Sequence, residues 1–201
     1  MSTVERVRIG LIGTGWIGSH HGRNVVANPH ASLAAVADPD VAKAEAFARE
    51  AGAQPRIFAD YREMLAQPDI DAVIVASPNA MHAEHAIAAA QAGKHIYLEK
   101  PMAITLSDCQ AVAAAVEEAG VKCAMGYHRR FNPLARHAKT LLAEGKLGDL
   151  ALAESDYIHY IPGDWDIWSW LGKEEIAGSL IHAGLGHNID LLRFFCGEVA
   201  A

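Results

Sequence analysis

Short apolar runs alternate with helical stretches through the first two-thirds of the chain. Val7-Arg8-Ile9-Gly10-Leu11-Ile12 predicts a buried strand, followed by a glycine turn and a helix to about Asn28. Residues 32–38 predict a second strand. Val41, Ala44, Phe47 and Ala48 recur at helical spacing within a helix over 40–51. A short strand is expected at Ile57-Phe58, and a helix over 61–67. Asp71-Ala72-Val73-Ile74-Val75-Ala76-Ser77 is apolar almost throughout, as suits a parallel strand buried on both faces. A helix from about Asn79 to Ala92 stops at Gly93, and strand 95–98 follows. The next helix, with Ser107 as its expected cap, ends near Gly120, and residues 121–127 predict a sixth strand. This alternation predicts an α/β, doubly wound parallel sheet of Rossmann type.

The pattern changes after about residue 126, where a domain boundary is expected between 1–126 and 127–201. Asn132-Pro133 opens a helix that Gly145 and Gly148 end. Residues 149–160 predict a long strand, residues 162–178 a loop rich in Trp and Gly, and 187–196 a helix. No internal repeat or low-complexity linker is visible.

Composition narrows the function. The chain has 201 residues, with 17 Lys and Arg against 24 Asp and Glu, a net charge of −7. Such a surface repels phosphate backbones and anionic lipid, so neither nucleic acid nor membrane is an expected partner. The beginning of the sequence lacks the long apolar run of a signal peptide, and no stretch is long enough to span a bilayer. Cys109, Cys123 and Cys196 form no CxxC pair, and buried reduced thiols in a cytoplasmic protein are expected.

Gly13-Thr14-Gly15-Trp16-Ile17-Gly18 fits GxGxxG, a pattern that is weak alone. Here it follows a strand, opens a helix, and has Asp38 at the end of the next strand. In such a turn Gly13 allows the tight bend, Gly15 the close approach of backbone N–H groups to a pyrophosphate, and Gly18 the helix–strand packing. Asp38 suits ribose hydroxyls and repels a 2′-phosphate. Pro39 and Asp40 follow it with no arginine, which favours NAD over NADP.

Glu99-Lys100-Pro101 closes the strand His95-Ile96-Tyr97-Leu98. Ligands of open α/β sheets bind beyond the carboxyl ends of the strands, so Lys100 is expected there. Alcohol oxidation needs a proton acceptor, and burial beside a positive ring suits a lysine to that duty. The plain alternative for Lys100 is a solvated surface lysine. His82 and His85 lie three apart on one helix face, but no further ligands stand nearby and no metal is expected.

Four stretches together resemble the glucose–fructose oxidoreductase/inositol dehydrogenase family, Gfo/Idh/MocA: Gly13 to Gly18, Ser77-Pro78-Asn79 with His82, Glu99-Lys100-Pro101, and Gly126-Tyr127-His128-Arg129-Arg130-Phe131-Asn132-Pro133. The resemblance implies a nicotinamide-dependent oxidoreductase acting on a secondary alcohol of a sugar, polyol or related hydroxy compound. It implies an NAD-binding Rossmann domain followed by an α+β domain with a largely antiparallel sheet, carrying substrate residues and often the oligomer interface. A homo-oligomer is therefore expected of the full-length protein. It carries Ser77, Pro78, Asn79, His82, Glu99, Lys100, Pro101, His128 and Arg129 onto the cofactor site, with His82 near the nicotinamide end and Lys100 moving the proton. Relatives continue beyond Ala201, so the second domain is expected to be incomplete.

The sequence departs from this pattern in one segment. Relatives place an aspartate four residues before a catalytic histidine. Here Gly178-Ser179-Leu180-Ile181-His182-Ala183-Gly184-Leu185-Gly186-His187-Asn188-Ile189-Asp190 is one residue longer, and His182 takes the acid's place counted from Leu180. His187 is the expected catalytic histidine, with His182 beside it. His128 stands where asparagine is common. Asp190 reads as a helix-start acid, and Arg129 and Arg130 as carboxylate holders or caps. Asp164-Trp165-Asp166-Ile167-Trp168-Ser169-Trp170 suits sugar stacking or simple packing. Two other readings stay open: a non-catalytic NAD-binding or sensing protein, and an enzyme that uses NAD transiently for epimerisation or glycoside cleavage.

Overall fold

The computed structural model describes residues 6–158, 160, 162–164, 168–179 and 181–200. The chain divides into two compact units, Met1–Met125 and Gly126–Ala201.

In the first unit the strands are β1 (Val7–Ile12), β2 (Ala31–Ala37), β3 (Arg56–Phe58), β4 (Ala72–Val75), β5 (His95–Leu98) and β6 (Cys123–Met125). The helices between them are α1 (Trp16–Ala27), α2 (Val41–Glu50), α3 (Tyr61–Leu65), α4 (His82–Gln91) and α5 (Leu106–Ala119). All six strands are parallel, in the order β3-β2-β1-β4-β5-β6. The order reverses between β1 and β4, which opens a crevice at their carboxyl ends. The parallel sheet expected from the apolar runs is thus observed.

Alternation along the strands sorts the core into two layers. Ile12, Val73 and Val75 pack with Met64, Ala86, Ala89, Ala90 and Val112, under α3, α4 and α5. Leu11 and Ile74 turn the other way, onto Val36, Ala44 and Phe47 of β2 and α2. The many alanines on α4 let that helix lie close to the sheet.

Several local expectations change. The segment after Pro78 begins as a 3₁₀ turn, Asn79–Met81, before α4. Thr105, not Ser107, caps α5: its hydroxyl accepts the Asp108 N–H at 3.1 Å and donates to the Asp108 carboxylate at 2.6 Å. That exchange across three residues resembles a capping box and outcompetes a serine two residues on. The three cysteines are free, but Cys109 and Cys123 are half-buried and Cys196 is exposed.

The second unit contains a 3₁₀ turn, His128–Phe131, then α6 (Pro133–Ala143), α7 (Trp168–Leu171), α8 (Glu174–Ala177), a π-helical turn Ile181–Leu185 and α9 (Gly186–Cys196). The expected strand over 149–160 is not formed among its described residues. A strand exists only with a hydrogen-bonded neighbour, and no described segment of this unit offers a ladder. The largely antiparallel sheet implied for this half is likewise not seen among the described residues. Trp165, Asp166 and Ile167 lie outside them, and so does Leu180.

Candidate active site

The glycine turn joins β1 to α1 and has the shape a pyrophosphate requires. Gly13 sits at φ +92°, and a side chain there would come within 2.8 Å of the Ala76 carbonyl. The loop after β4 therefore lies directly against the turn. A Cβ on Gly18 would meet the Gly13 carbonyl at 2.0 Å, so that position must lack one. A Cβ on Gly15 would meet nothing within 4 Å, which leaves the face of the turn open. The N-terminus of α1 has no side-chain cap and no acid in its first turn. Its amide dipoles are thus left to an anion. Trp16 is exposed at the helix start, while Ile17 packs behind on the α2 side of the core.

Asp38 ends β2 and turns back onto this loop. Its Oδ2 accepts the Thr14 N–H at 2.8 Å and the Thr14 hydroxyl at 2.6 Å. Its Oδ1 accepts the Asp40 N–H at 3.0 Å. An ionised carboxylate has about four acceptor positions, so roughly one remains for a ribose hydroxyl. No local sign in the sequence shows that Asp38 also stitches Thr14.

Glu99-Lys100-Pro101 follows β5, with the Lys100–Pro101 peptide cis. Glu99 is buried at 5 % exposure. Burial works to raise its carboxyl, but the hydrogen bonds and charges of His21 and Lys100 outweigh that and hold it below the usual carboxylate range. His21, on α1, places Nε2 2.8 Å from Glu99 Oε1. Nothing in the local sequence marks His21. Only its place one turn into the dinucleotide helix could have signalled that it reaches the strand end.

His82 is also placed differently from expectation. It is 1 % exposed, with Nδ1 2.6 Å from the Pro101 carbonyl and Nε2 2.9 Å from the Ser77 carbonyl. Both ring nitrogens face protein backbone, because the helix start pulls the ring under the two loops. It shapes the loops that follow β4 and β5. Asn79 is buried in the same loop behind Pro78. Ser77 Oγ lies 2.9 Å from His85 Nδ1. Burial pushes the His85 ring down to about 4, so it is neutral at pH 7. Among the described residues no group of three or more His, Cys, Asp or Glu could hold a metal ion.

In the second unit the His128–Phe131 turn is tied to α9. Arg130 grips Asp190 with two bonds, 2.7 and 2.6 Å, and Arg129 donates to Asn188 at 3.2 Å while its guanidinium covers the Tyr157 ring. Both arginines therefore have protein partners, and Asp190 is an ion-pair partner rather than a helix-start acid alone. His187 is buried at the start of α9, edge-on to His128 with ring centroids 4.9 Å apart. The π-helical turn sits where the sequence is one residue too long. A π-turn closes i→i+5 rings and so holds one more residue than an α-turn. His182 lies in it, and its Nδ1 accepts the Ser179 backbone N–H at 3.0 Å. That bond assigns the neutral ring's proton to Nε2. A cavity of about 620 Å³ is lined by His128, Arg129, Phe131, Asn132, Leu134, Ala135 and Leu191 of this unit.

Two family models match the chain. One, described as "Oxidoreductase family, NAD-binding Rossmann fold", matches residues 7–127; the other, the GFO/IDH/MocA C-terminal domain, matches 135–201. The chain belongs to the Gfo/Idh/MocA oxidoreductase family. Its first unit is the family's NAD-binding Rossmann domain. Among curated Gfo/Idh/MocA relatives, the chain is 39% identical to scyllo-inositol 2-dehydrogenase (NAD(+)) of Bacillus subtilis (strain 168), over 92% of this chain and 59% of that protein. It is 34% identical to levoglucosan dehydrogenase of Pseudarthrobacter phenanthrenivorans, over 98% of this chain and 53% of the relative. Among solved structures, scyllo-inositol dehydrogenase from Lactobacillus casei with bound NAD(H) and scyllo-inositol matches with TM-score 0.85 and 30% identity, covering 95% of this chain and 56% of that one. The chain spans little more than half the length of these relatives. No described helix is long and apolar enough to cross a membrane.

Proposed function

We propose that the protein is an NAD-dependent oxidoreductase that moves a hydride between nicotinamide and a secondary alcohol of a sugar, polyol or related hydroxy compound. One observation carries the reading: Lys100 follows β5 at the carboxyl edge of a parallel sheet whose switch point bears an open, uncapped dinucleotide turn. The backbone of Gly13 to Gly18 and the α1 N-terminus would hold the pyrophosphate, and Asp38 the adenosine ribose, which favours NAD over NADP. When bound, the nicotinamide supplies the hydride acceptor. Lys100 takes the hydroxyl proton as the alcohol is oxidised and returns it in the reverse direction. His187 and His182 are the catalytic candidates of the second unit, and His128 and Arg129 its candidate cofactor contacts. The relatives' names support this substrate class, since both scyllo-inositol and levoglucosan are polyhydroxylated rings. We further propose the 1–126 and 127–201 halves as the cofactor and substrate domains, a cytoplasmic location, and a homo-oligomer for the full-length protein.

The reading is tested by incubating purified protein with NAD and a panel of polyols and anhydrosugars, following reduced cofactor by absorbance. Net reduction that Lys100→Ala abolishes is the expected result. NAD binding with no product on any substrate overturns it. Product without net reduction indicates transient use of NAD instead. The altered His182–His187 segment, with His182 where relatives carry a carboxylate, favours the non-catalytic NAD-binding reading as the alternative.

A further inference from the structure

Lys100 is flanked by two residues that are each gripped by a histidine from a different helix. On its N-terminal side Glu99 is buried, and its Oε1 lies 2.8 Å from His21 Nε2. An ionised carboxylate can only accept, so His21 Nε2 carries the donated proton. The other oxygen, Oε2, accepts the backbone N–H of Lys100 at 3.1 Å. Glu99 therefore links the His21 ring to the lysine's own main chain. The ring is fixed in turn by an edge-on contact with Tyr97, centroids 5.1 Å apart.

On the C-terminal side, the Pro101 carbonyl lies 2.6 Å from His82 Nδ1. Burial lowers the pKa of His82 against the raising effect of its two carbonyl neighbours, so the ring is neutral and carries one proton. With that proton on Nδ1, His82 donates to the Pro101 carbonyl. His21 belongs to α1, which the dinucleotide loop opens; His82 opens α4, just after the loop and 3₁₀ turn that follow β4, the loop lying against Gly13. Both histidines thus tie the lysine to the elements that would carry the cofactor.

We propose that His21 and His82 are positioning residues for Lys100, clamping it from both sides, through the Glu99 carboxylate and the Pro101 carbonyl, in register with the dinucleotide turn. The proposal rests on Lys100 being the proton acceptor. The clamp limits where the ammonium can reach and holds the Glu99 charge against His21 rather than against the lysine's own amine. Neither histidine needs to touch substrate.

The test uses four variants of the NAD-loaded protein. His21→Leu and His82→Leu remove the donor while keeping apolar bulk. His21→Gln and His82→Asn keep an N–H aimed at the same carboxylate or carbonyl. Two readouts are taken: kcat and KM on the best polyol of the panel, and the pH dependence of Lys100 acylation by acetic anhydride, read by peptide mass spectrometry without substrate. The expected result is a fall in kcat of about 10- to 100-fold in each Leu variant, as for misplacement by about 1 Å, with NAD affinity changed less than about twofold. The Lys100 acylation profile shifts with it, and Gln and Asn restore most of both. Wild-type acylation profiles in both Leu variants, or equal losses in the Gln and Asn variants, would overturn the clamp. If wild type turns over no alcohol, the base role of Lys100 fails, and acylation alone decides the clamp. If His21→Leu does not fold, Glu99→Gln takes its place, and if His82→Leu does not fold, His82→Phe does; of these, Glu99→Gln is the charge test. It keeps the shape but removes the charge, and an unshifted Lys100 profile in either replacement counts against the clamp.

Discussion

The Asp38 carboxylate holds Thr14 twice with one oxygen, at 2.8 Å from the backbone nitrogen and 2.6 Å from the hydroxyl. The acid expected to read the ribose is therefore also the brace of the phosphate turn. Asp38→Ala removes both functions, leaving the buried Thr14 N–H unsatisfied at roughly 1–3 kcal/mol. NAD affinity should fall about tenfold or more by titration calorimetry, with NADP affinity falling less. Thr14→Val removes only the hydroxyl contact and should lower NAD affinity by a few-fold, with the NAD to NADP ratio unchanged. An unchanged ratio in Asp38→Ala would remove Asp38 from cofactor selection.

Gly18→Ala tests the turn from the other side. The added methyl would sit 2.0 Å from the Gly13 carbonyl, which is backbone and cannot swing away. Parting α1 from β1 should cost about 1–3 kcal/mol in stability and abolish measurable NAD binding. Gly15→Ala meets no protein atom within 4 Å, so stability should hold while NAD binding weakens. Equal unfolding midpoints for Gly18→Ala and wild type in urea would refute the packing argument.

Acid stability should reveal His85. Its pKa is about 4 folded against 6.5 unfolded, chiefly through burial. The unfolded chain therefore binds a proton that the folded chain refuses between those values. Stability from this group is complete above pH 6.5, declines as pH falls toward 4, and changes no further below it. The span corresponds to about 3 kcal/mol. His85→Leu should flatten the pH 7 to 4.5 difference in urea midpoint, although His82, shifted in the same direction, keeps part of it. The same slope in variant and wild type would place the effect elsewhere.

Arg130 and Asp190 give a comparable test in the second unit. The acid side chain is 9% exposed and the arginine 37%, so the ion pair is only half shielded. Arg130→Ala leaves the carboxylate buried without its cation and should cost about 2 kcal/mol, discounted for solvent around the arginine. Arg130→Lys cannot reproduce the two-pronged grip and should recover less than half of that loss. Replacing Asp190 in the Arg130→Ala background should cost little more.

The order of strands and helices in the first unit was legible because the strands are short and mostly apolar, and α2 to α5 each end close to a glycine or begin with a side-chain cap. The glycine turn and Asp38 were legible for a local reason: their spacing is dictated by one turn and one crossover. Thr105 was misread because capping depends on which hydroxyl reaches Asp108, and Ser107 offers the same chemistry two residues away. The strand over 149–160 is not formed among its described residues, because alternation records a face, whereas a strand also needs a neighbour.

His21 was missed altogether. A histidine on a dinucleotide-binding helix has no local signature, and Glu99 lies 78 residues away in sequence. Likewise His82 was expected to face a ligand, and the fold instead buries it between two carbonyls. The sequence by itself determined the sheet, its turn and the position of Lys100 at a strand end, because periodicity and glycine sterics act over a few residues. Only the tertiary structure decided what holds that lysine. The two histidines reach Glu99 and Pro101 through side chains from separate helices, and hydrogen bonds between distant segments exist only once the sheet has brought them together.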